Sequence, residues 1–321
     1  MMTNNSKMNL EKEIRGDYEI SAEMKKVWAV ELRLLKKFLS VCKKYNLKAW
    51  AEGGTLLGAV REKGYIPWDD DIDMAMPRED YDHLREIARR EFQAPYFFQC
   101  GYTDLFPNGF TRIRMDGTTA ILRNSIFQQC HQGVFIDIFP LDSIPTDKNI
   151  FEKFKKLRMK ERIKLKLYCE HHFSICNFHY NWNVLVSYLS IHRVGFNNYF
   201  HNYDDLMKMF SEKQNQLISI IALTDEAKYF RKREWYQNTL YFPFEDIQIP
   251  VPNGYDNILA KQYGDYMKPV KEPTMHGGFL ILDTEHPYTE YLPKLRKEHK
   301  WDNWRIRYQQ LKKILKKLYI L

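Results

Sequence analysis

Residues 51–77 read AEGGTLLGAVREKGYIPWDDDIDMAMP. A short apolar run precedes Gly53, Gly54 and Thr55, and a segment with helical spacing follows them. Glycines at a strand-to-helix turn let backbone N–H groups approach an anion, and the N-terminus of a helix favours negative charge. The pattern therefore predicts a phosphate-binding turn at these three residues.

Three aspartates alternate with other residues later in the same stretch, namely Asp69, Asp71 and Asp73. Alternate side chains of an extended segment point to one face, so the three carboxylates are expected on one side. Like charges held this close repel each other unless water or a cation offsets the repulsion. Carboxylates with no cysteine or histidine nearby suit a hard cation, so the pattern predicts Mg²⁺ or Mn²⁺ with positions open for substrate phosphates.

A third metal ligand is expected from another strand, because two monodentate groups rarely hold a catalytic ion. Asp137 stands between two isoleucines in the run GVFIDIF, and an acid in such a buried strand is a functional candidate. The predicted metal ligands are therefore Asp71, Asp73 and Asp137. The nearby Asp142 is expected to end the strand or cap a turn.

Cations close to these motifs are candidates for contact with substrate phosphates, although each could equally be a solvated surface charge. They are Arg61, Lys63, Arg112 and Arg114. Thr118, after an Asp-Gly turn, and His276, beside two glycines, are further candidates for substrate contact.

Aromatic side chains near the motifs offer a wall for a quaternary ammonium group, which favours aromatic faces. The candidates are Trp68, Tyr263 and Tyr266, and core packing is the competing role for each.

A cluster of cysteines and histidines in the run CEHHFSICNFH raises the question of zinc. Its members are Cys169, His171, His172, Cys176 and His179. The spacing matches no common zinc module and the run has a helical pattern, so a structural zinc site is the weaker interpretation.

The composition is that of a soluble globular protein: 321 residues, 44% hydrophobic and 28% charged. Mean hydropathy is −0.55, and no apolar run reaches the roughly 18 residues of a membrane span. The polar N-terminus has no signal-peptide pattern, and the five scattered cysteines are expected to be reduced thiols. A cytoplasmic protein is predicted.

The net charge of +8 is concentrated in the segment from Lys294 to Leu321, which has ten basic and two acidic residues. Apolar residues recur there at helical spacing, which predicts a basic amphipathic terminal helix. Such a helix could lie on the inner face of an anionic membrane, or dock its apolar stripe on the body of the protein. A nucleic-acid partner is not expected, because the rest of the chain is neutral.

The periodicity along the chain predicts an α+β fold with a mixed-sheet core, a largely helical middle and a C-terminal annex. Four parts are expected: an N-terminal helical segment (1–45), a catalytic core (46–145), a helical region (146–242) and a C-terminal part packing on the core (243–321). Predicted elements include helices at 23–45, 79–90 and 255–264, and strands at 47–51 and 72–76.

The runs GGTLLGAVREKGYIPWDDDID, FIDIFPLD and YGDYMKP resemble the LicD family of phosphotransferases, which is related to fukutin-type glycan-modifying enzymes. The similarity covers about residues 45–142 and 255–276. It implies a nucleotidyltransferase-like fold and a metal-dependent active site. It also implies transfer of a phosphorylated alcohol, often phosphocholine, from a CDP-linked donor to a glycan hydroxyl.

The resemblance carries over residue by residue to the motif positions of this chain. It implies that Asp71 and Asp73 bind the metal, that Asp69 lies beside them, and that Asp137 is the acid contributed by a further strand. It also implies that the donor phosphates bind at Gly53, Gly54 and Thr55. Asp69 or Asp137 could accept the proton of the attacking hydroxyl. No departure within the core motif indicates an inactive enzyme.

The predicted function is metal-dependent transfer of a phosphorylated alcohol to lipopolysaccharide, teichoic acid or capsule, with a lipid-linked acceptor left open. One alternative is a nucleotidyltransferase that uses a nucleoside triphosphate and releases pyrophosphate. A second is a non-catalytic module that binds glycans or nucleotides. The transferred alcohol, the accepting sugar and the oligomeric state are not predicted.

Overall fold

A computed structural model of the chain describes residues 8–170, 178–210, 216–271 and 278–299. Its helices are α1 (Ala22–Tyr45), α2 (Gly53–Arg61), α3 (Arg78–Glu91), α4 (Lys148–Glu170), α5 (Phe178–Val194), α6 (Phe196–Met207), α7 (Tyr255–Tyr263) and α8 (288–299). Its strands are β1 (Glu13–Arg15), β2 (Tyr18–Ile20), β3 (Trp50–Ala51), β4 (Asp73–Pro77), β5 (Tyr96–Gln99), β6 (Thr111–Met115), β7 (Thr119–Leu122), β8 (Phe135–Ser143), β9 (Leu217–Ser219), β10 (Arg231–Lys232), β11 (Thr239–Phe244), β12 (Ile247–Pro252) and β13 (Phe279–Asp283). The predicted α+β class is confirmed.

Strand β8 is the centre of the main sheet. On one edge it pairs in parallel with β4, and β4 pairs antiparallel with β3. On the other edge it pairs antiparallel with β6 and, further along, with β9. The sheet is therefore mixed, as predicted, and β4 and β8 lie side by side at its middle.

All nine residues of β8 are buried, which agrees with its nearly continuous apolar sequence. Two of the exceptions to that apolar pattern are aspartates, Asp137 and Asp142. The prediction that Asp142 ends the strand or caps a turn is wrong. Its buried carboxylate accepts two hydrogen bonds of 2.6 Å from the guanidinium of Arg78 on α3, and β8 continues to Ser143.

Helix α1 covers one side of this sheet, with contacts to β6 and β8. It begins after Ser21, whose side chain accepts a hydrogen bond of 3.1 Å from the N–H of Met24, and ends at Asn46 in the left-handed region. Apolar side chains at helical spacing, including Trp28, Leu32 and Phe38, are buried on its inner face. The predicted helix at 23–45 is confirmed.

The chain after α6 adds to the core in a way that periodicity did not predict. Residues 217–219 and 231–232 form β9 and β10, which extend the main sheet beyond β8, although a largely helical region was expected there. Near the end of the described chain, β13 pairs with β7. The division into four parts stays a prediction.

No helix within the described ranges has the length and apolar character that a membrane span requires. Cys42, Cys100 and Cys130 are buried free thiols. The basic segment predicted to form a terminal helix lies outside the described residues from position 300 onward, and so does His276. Of the five residues weighed for zinc, only Cys169 has a described side chain, and it is buried.

Candidate active site

The glycine turn lies directly against two of the predicted carboxylates. Helix α2 begins at Gly53, whose φ of +53° belongs to the left-handed region that favours glycine. A Cβ atom on Gly53 would lie 3.3 Å from Oδ2 of Asp73, and one on Gly54 would lie only 2.5 Å from Oδ2 of Asp69. A side chain at position 54 would therefore displace the carboxylate of Asp69, whose oxygen takes the space that a Cβ atom would need.

Thr55 connects the same helix to strand β4. Its buried hydroxyl accepts a hydrogen bond of 2.8 Å from the N–H of Asp73, the first residue of β4. This bond fixes the start of the strand against the first turn of α2. In the structure Thr55 positions an acid of the cluster, while its predicted contact with donor phosphates stays a prediction.

The acidic run adopts a different local shape from the one expected. Residues 69–72 precede β4 and are not part of a strand, so the side chains do not alternate across a sheet there. Carboxylate oxygens of Asp69, Asp70 and Asp71 come within 4.8 Å of one another. Asp70 thus joins the group, although simple alternation would have placed it on the opposite face.

Asp73 and Asp137 occupy matching positions on neighbouring strands, since they pair in register between β4 and β8. Burial raises the pKa of Asp73 well above its usual range, and the charges of Asp71, Asp137 and Asp69 raise it further. Burial also raises the pKa of Asp137, an effect that Arg112 opposes. These shifts indicate that the acids lie close together at a place where negative charge is unfavourable without a cation.

The donor set fits a hard divalent cation. The grouped side chains are carboxylates, and neither histidine nor cysteine belongs to the cluster formed by the described residues. Oxygen ligands of this kind suit Mg²⁺ or Mn²⁺, which keep coordination positions for substrate phosphates. Of the five carboxylates of this acid cluster, Asp71, Asp73 and Asp137 would hold such an ion, and Asp69 and Asp70 lie beside Asp71.

The two arginines on β6 that were predicted to contact substrate form hydrogen bonds within the protein. Arg112 binds the carboxylate of Asp137 through Nε at 2.7 Å and a second nitrogen at 3.2 Å, and its guanidinium lies 3.9 Å from the ring centre of Phe135. Arg114 is buried and donates to the side chain of Gln99 and to the carbonyl of Gly133, both at 2.6 Å. Arg112 therefore touches the acid cluster, whereas these bonds direct Arg114 to other parts of the fold.

Arg61 connects α2 to the distal motif YGDYMKP. Its guanidinium donates a hydrogen bond of 3.0 Å to the carbonyl of Tyr266. The hydroxyl of Tyr263 lies 3.9 Å from where a Cβ of Gly53 would be, and burial together with nearby acids raises the pKa of Tyr263 above its usual range. The distal motif thus reaches the glycine turn.

The other residues predicted to contact substrate form hydrogen bonds or ring contacts within the protein, or are exposed on its surface. Thr118 donates to the carbonyl of Met115 at 2.7 Å, and its hydroxyl accepts a bond of 2.8 Å from the N–H of Val134. Lys63 has an exposed side chain, and its carbonyl accepts a bond of 2.9 Å from the N–H of Glu245. Trp68 is half-buried with its ring 5.9 Å from that of Tyr18. Their roles in substrate binding stay predictions.

Glu52 and Arg231 form a buried ion pair that the sequence analysis missed. Glu52 directly precedes the glycine turn, and its N–H donates to the carbonyl of Asp73 at 3.0 Å. Both carboxylate oxygens bind the guanidinium of Arg231 on β10, which also donates to the hydroxyl of Tyr236 at 2.6 Å. An acid directly after a buried strand was a signal for Glu52, but nothing in the sequence identified its partner.

The sequence analysis also missed a buried acid, Glu31, whose neighbour Trp28 contacts the acidic run. Glu31 on α1 is 2% exposed, and the hydroxyl of Tyr65 donates to it at 3.0 Å. Burial raises the pKa of Glu31 well above its usual range, and the charge of Asp71 adds to the effect. Trp28 stacks on Tyr65 with ring centres 4.4 Å apart and donates from Nε1 to the carbonyl of Asp69 at 3.0 Å. An acid on the apolar stripe of α1 was the available signal.

Comparison with known proteins places this site in a family. Residues 46–164 match the family described as LicD/FKTN/FKRP, nucleotidyltransferase domain, and this range contains the glycine turn and all five carboxylates of the cluster. The chain is 32% identical over 248 residues to the lipopolysaccharide cholinephosphotransferase LicD of Haemophilus influenzae. That alignment covers 74% of this chain and 88% of the Haemophilus protein.

Two shorter similarities involve uncharacterized proteins of Rickettsia. One, from Rickettsia prowazekii, is 46% identical over 71 residues, which is 22% of this chain and 24% of that protein. The other, from Rickettsia typhi, is 44% identical over 70 residues, covering 22% of this chain and 21% of its own length.

Proposed function

The chain belongs to the LicD family, and we propose that it transfers phosphocholine or a similar phosphorylated alcohol from a CDP-linked donor to a hydroxyl of a surface glycan. It is a transferase of phosphorus-containing groups. The observation that carries the proposal is its 32% identity to a lipopolysaccharide cholinephosphotransferase along 88% of that enzyme. Lipopolysaccharide is accordingly the first acceptor to test, ahead of teichoic acid and capsule.

The acid cluster would hold Mg²⁺, or Mn²⁺ in its place, through Asp71, Asp73 and Asp137, with Asp69 and Asp70 adjacent. When bound, such an ion neutralises charge on the diphosphate of the donor and stabilises the departing CMP. The support for this assignment is the proximity of the carboxylates and the raised pKa of Asp73.

The remaining steps fall to residues of the chain itself. The first turn of α2, at Gly53 and Gly54, offers backbone N–H groups and a positive helix end to the donor phosphates. The hydrogen bonds from Arg112 stabilise Asp137 as an anion, which favours a ligand role for Asp137. Asp69 is then the group assigned to accept the proton of the attacking glycan hydroxyl.

The distal motif would complete the donor site. The hydroxyl of Tyr263 lies next to Gly53, and Arg61 of the same helix as Gly53 donates a hydrogen bond to the carbonyl of Tyr266. The aromatic face of Tyr263 is the candidate surface for the quaternary ammonium of choline. The enzyme would work on the cytoplasmic side, and a lipid-linked acceptor would bring it to the inner membrane face.

Product analysis tests the proposed reaction directly. The protein is incubated with CDP-choline and choline-free lipopolysaccharide, and separately with CTP and phosphocholine, and nucleotides are separated by chromatography. The proposal expects CMP and choline-modified lipopolysaccharide in the first mixture and no pyrophosphate in the second.

Pyrophosphate from the second mixture would instead support the nucleotidyltransferase alternative. The family matched by residues 46–164 is described as a nucleotidyltransferase domain, which is the reason to test it. A protein that binds CDP-choline but makes no product in either mixture would support the non-catalytic module.

A further inference from the structure

Helix α5 has apolar side chains on two opposite faces. Its inner face buries Val184 and Ile191 against the rest of the protein. The opposite face presents a second stripe to solvent, at helical spacings of three, one and three residues: Trp182, Leu185, Val186 and Leu189. Trp182 and Leu189 are 55% and 58% exposed. A helix on a protein surface normally has polar side chains on its outer face, so this stripe lacks an expected partner within the described chain.

Helix α4 packs beside α5, with Tyr168 of α4 stacked on Tyr188 of α5 at 5.7 Å between ring centres. Its sequence KNIFEKFKKLRMKERIKLKLYCE contains nine basic residues and three acidic ones. The exposed positions of α4 include both lysines and apolar residues, namely Lys153, Lys156, Met159, Lys160, Ile163 and Lys166. The outer surface of the two helices thus combines an apolar stripe that contains a tryptophan with a dense positive charge.

We propose that the α4–α5 surface, defined by the exposed residues of these two helices, docks onto an anionic lipid bilayer. An apolar face beside basic residues is the composition of helices that lie in a membrane interface. Tryptophan and tyrosine prefer that interface, and each lysine near an anionic leaflet adds to the attraction. None of the residues of this surface belongs to the acid cluster, so the proposal does not depend on the proposed reaction.

The positive charge of α4 favours a lipid bilayer as the partner of the α4–α5 surface over the segment 300–321 and over a second copy of the chain. The basic segment 300–321 has seven basic residues and one acidic residue, so it carries the same sign as α4 and would be repelled by it. A second copy of the chain joined through the same surface would bring two basic α4 helices together. An anionic bilayer supplies the opposite charge and an apolar layer at once.

Vesicle co-sedimentation tests the proposal with the full chain. The vesicles contain phosphatidylcholine alone, or phosphatidylglycerol and phosphatidylcholine in equal parts. We expect binding to the anionic vesicles and weak binding to the neutral ones. The double variant Trp182→Gln/Leu189→Gln should weaken binding to anionic vesicles about tenfold or more, because it removes the two most exposed apolar side chains of the stripe.

A control variant changes an exposed apolar residue elsewhere. Ile14→Gln alters a side chain that is 70% exposed on β1, and it should bind vesicles like the parent protein. Circular dichroism and thermal melting confirm that each variant is folded. Removing residues 300–321 should leave the effect of the α5 double variant in place.

Three outcomes would overturn the proposal. The first is a parent protein that does not sediment with anionic vesicles. The second is an α5 double variant that binds as tightly as the parent, and the third is binding that disappears entirely when residues 300–321 are removed. Loss of self-association in the α5 double variant, without any vesicle binding by the parent, would assign the surface to a second copy of the chain.

Discussion

Replacing Gly54 by alanine tests whether the position of the Asp69 carboxylate matters to the reaction. A Cβ atom at residue 54 would lie 2.5 Å from Oδ2 of Asp69. A relaxed contact between carbon and oxygen needs roughly 3.5 Å, so the carboxylate must move by about 1 Å. Misplacing a reacting group by that distance costs on the order of a hundredfold in turnover.

The same substitution should cost little stability. Gly54 is the second residue of α2, where alanine is favoured over glycine by about 0.5–1 kcal/mol. The obstructing atom is the tip of a side chain, which can turn aside. We therefore expect the free energy of unfolding of Gly54→Ala to stay within about 1 kcal/mol of the parent value while turnover falls.

Gly58 of the same helix supplies a matched control. A Cβ atom there would lie 2.4 Å from the carbonyl oxygen of Gly64, which is a backbone atom and cannot turn aside. Gly58→Ala should lower the free energy of unfolding by about 1–3 kcal/mol. Urea unfolding and release of CMP from CDP-choline are measured for both variants. Full turnover by Gly54→Ala, or a loss of stability equal to that of Gly58→Ala, would refute the reasoning.

Two further predictions concern the buried acids that support the site. Arg231→Met should lower the free energy of unfolding by about 3–5 kcal/mol, because it leaves the charge of Glu52 buried without its partner. Glu52→Gln combined with Arg231→Met should recover most of that loss in urea unfolding, and a double variant less stable than Arg231→Met would contradict the pairing. Glu31 has a raised pKa in the folded chain, so its contribution to the stability of the parent falls as pH rises above about 4.3, the pKa in the unfolded chain. The stability advantage of Glu31→Gln should therefore grow with pH in unfolding curves; an advantage that shrinks would contradict it.

The parts of the fold that the sequence predicted well have long and regular patterns. Helices α1, α3 and α7 and strand β4 were expected within one residue of their observed bounds, because their apolar spacing and glycine or proline boundaries are clear. Asp73 and Asp137 were predicted as ligands of one ion on two different strands, and the structure pairs them in register between β4 and β8.

Other features depend on contacts that local patterns do not contain. Strands β9 and β10 have only three and two residues, which is too short for a period to appear. Arg231 stands 179 residues from Glu52 in the chain, so their pairing exists only in the folded protein. Alternation in an extended segment excludes Asp70 from the acid cluster, but residues 69–72 are not part of a strand and the carboxylate of Asp70 lies with those of Asp69 and Asp71.

Release of CMP is the most direct test of the central claim that the acid cluster performs metal-dependent phosphotransfer. The parent protein and Asp73→Asn are assayed on CDP-choline, CDP-ethanolamine, CDP-ribitol and CDP-glycerol with lipopolysaccharide acceptor, once with Mg²⁺ and once with EDTA. Asp246→Asn, which changes an exposed acid on the loop between β11 and β12, is the matched control. The claim predicts CMP from one donor, lost with EDTA and with Asp73→Asn but retained by Asp246→Asn. Equal CMP release by the parent and Asp73→Asn, or release that persists in EDTA, would contradict it.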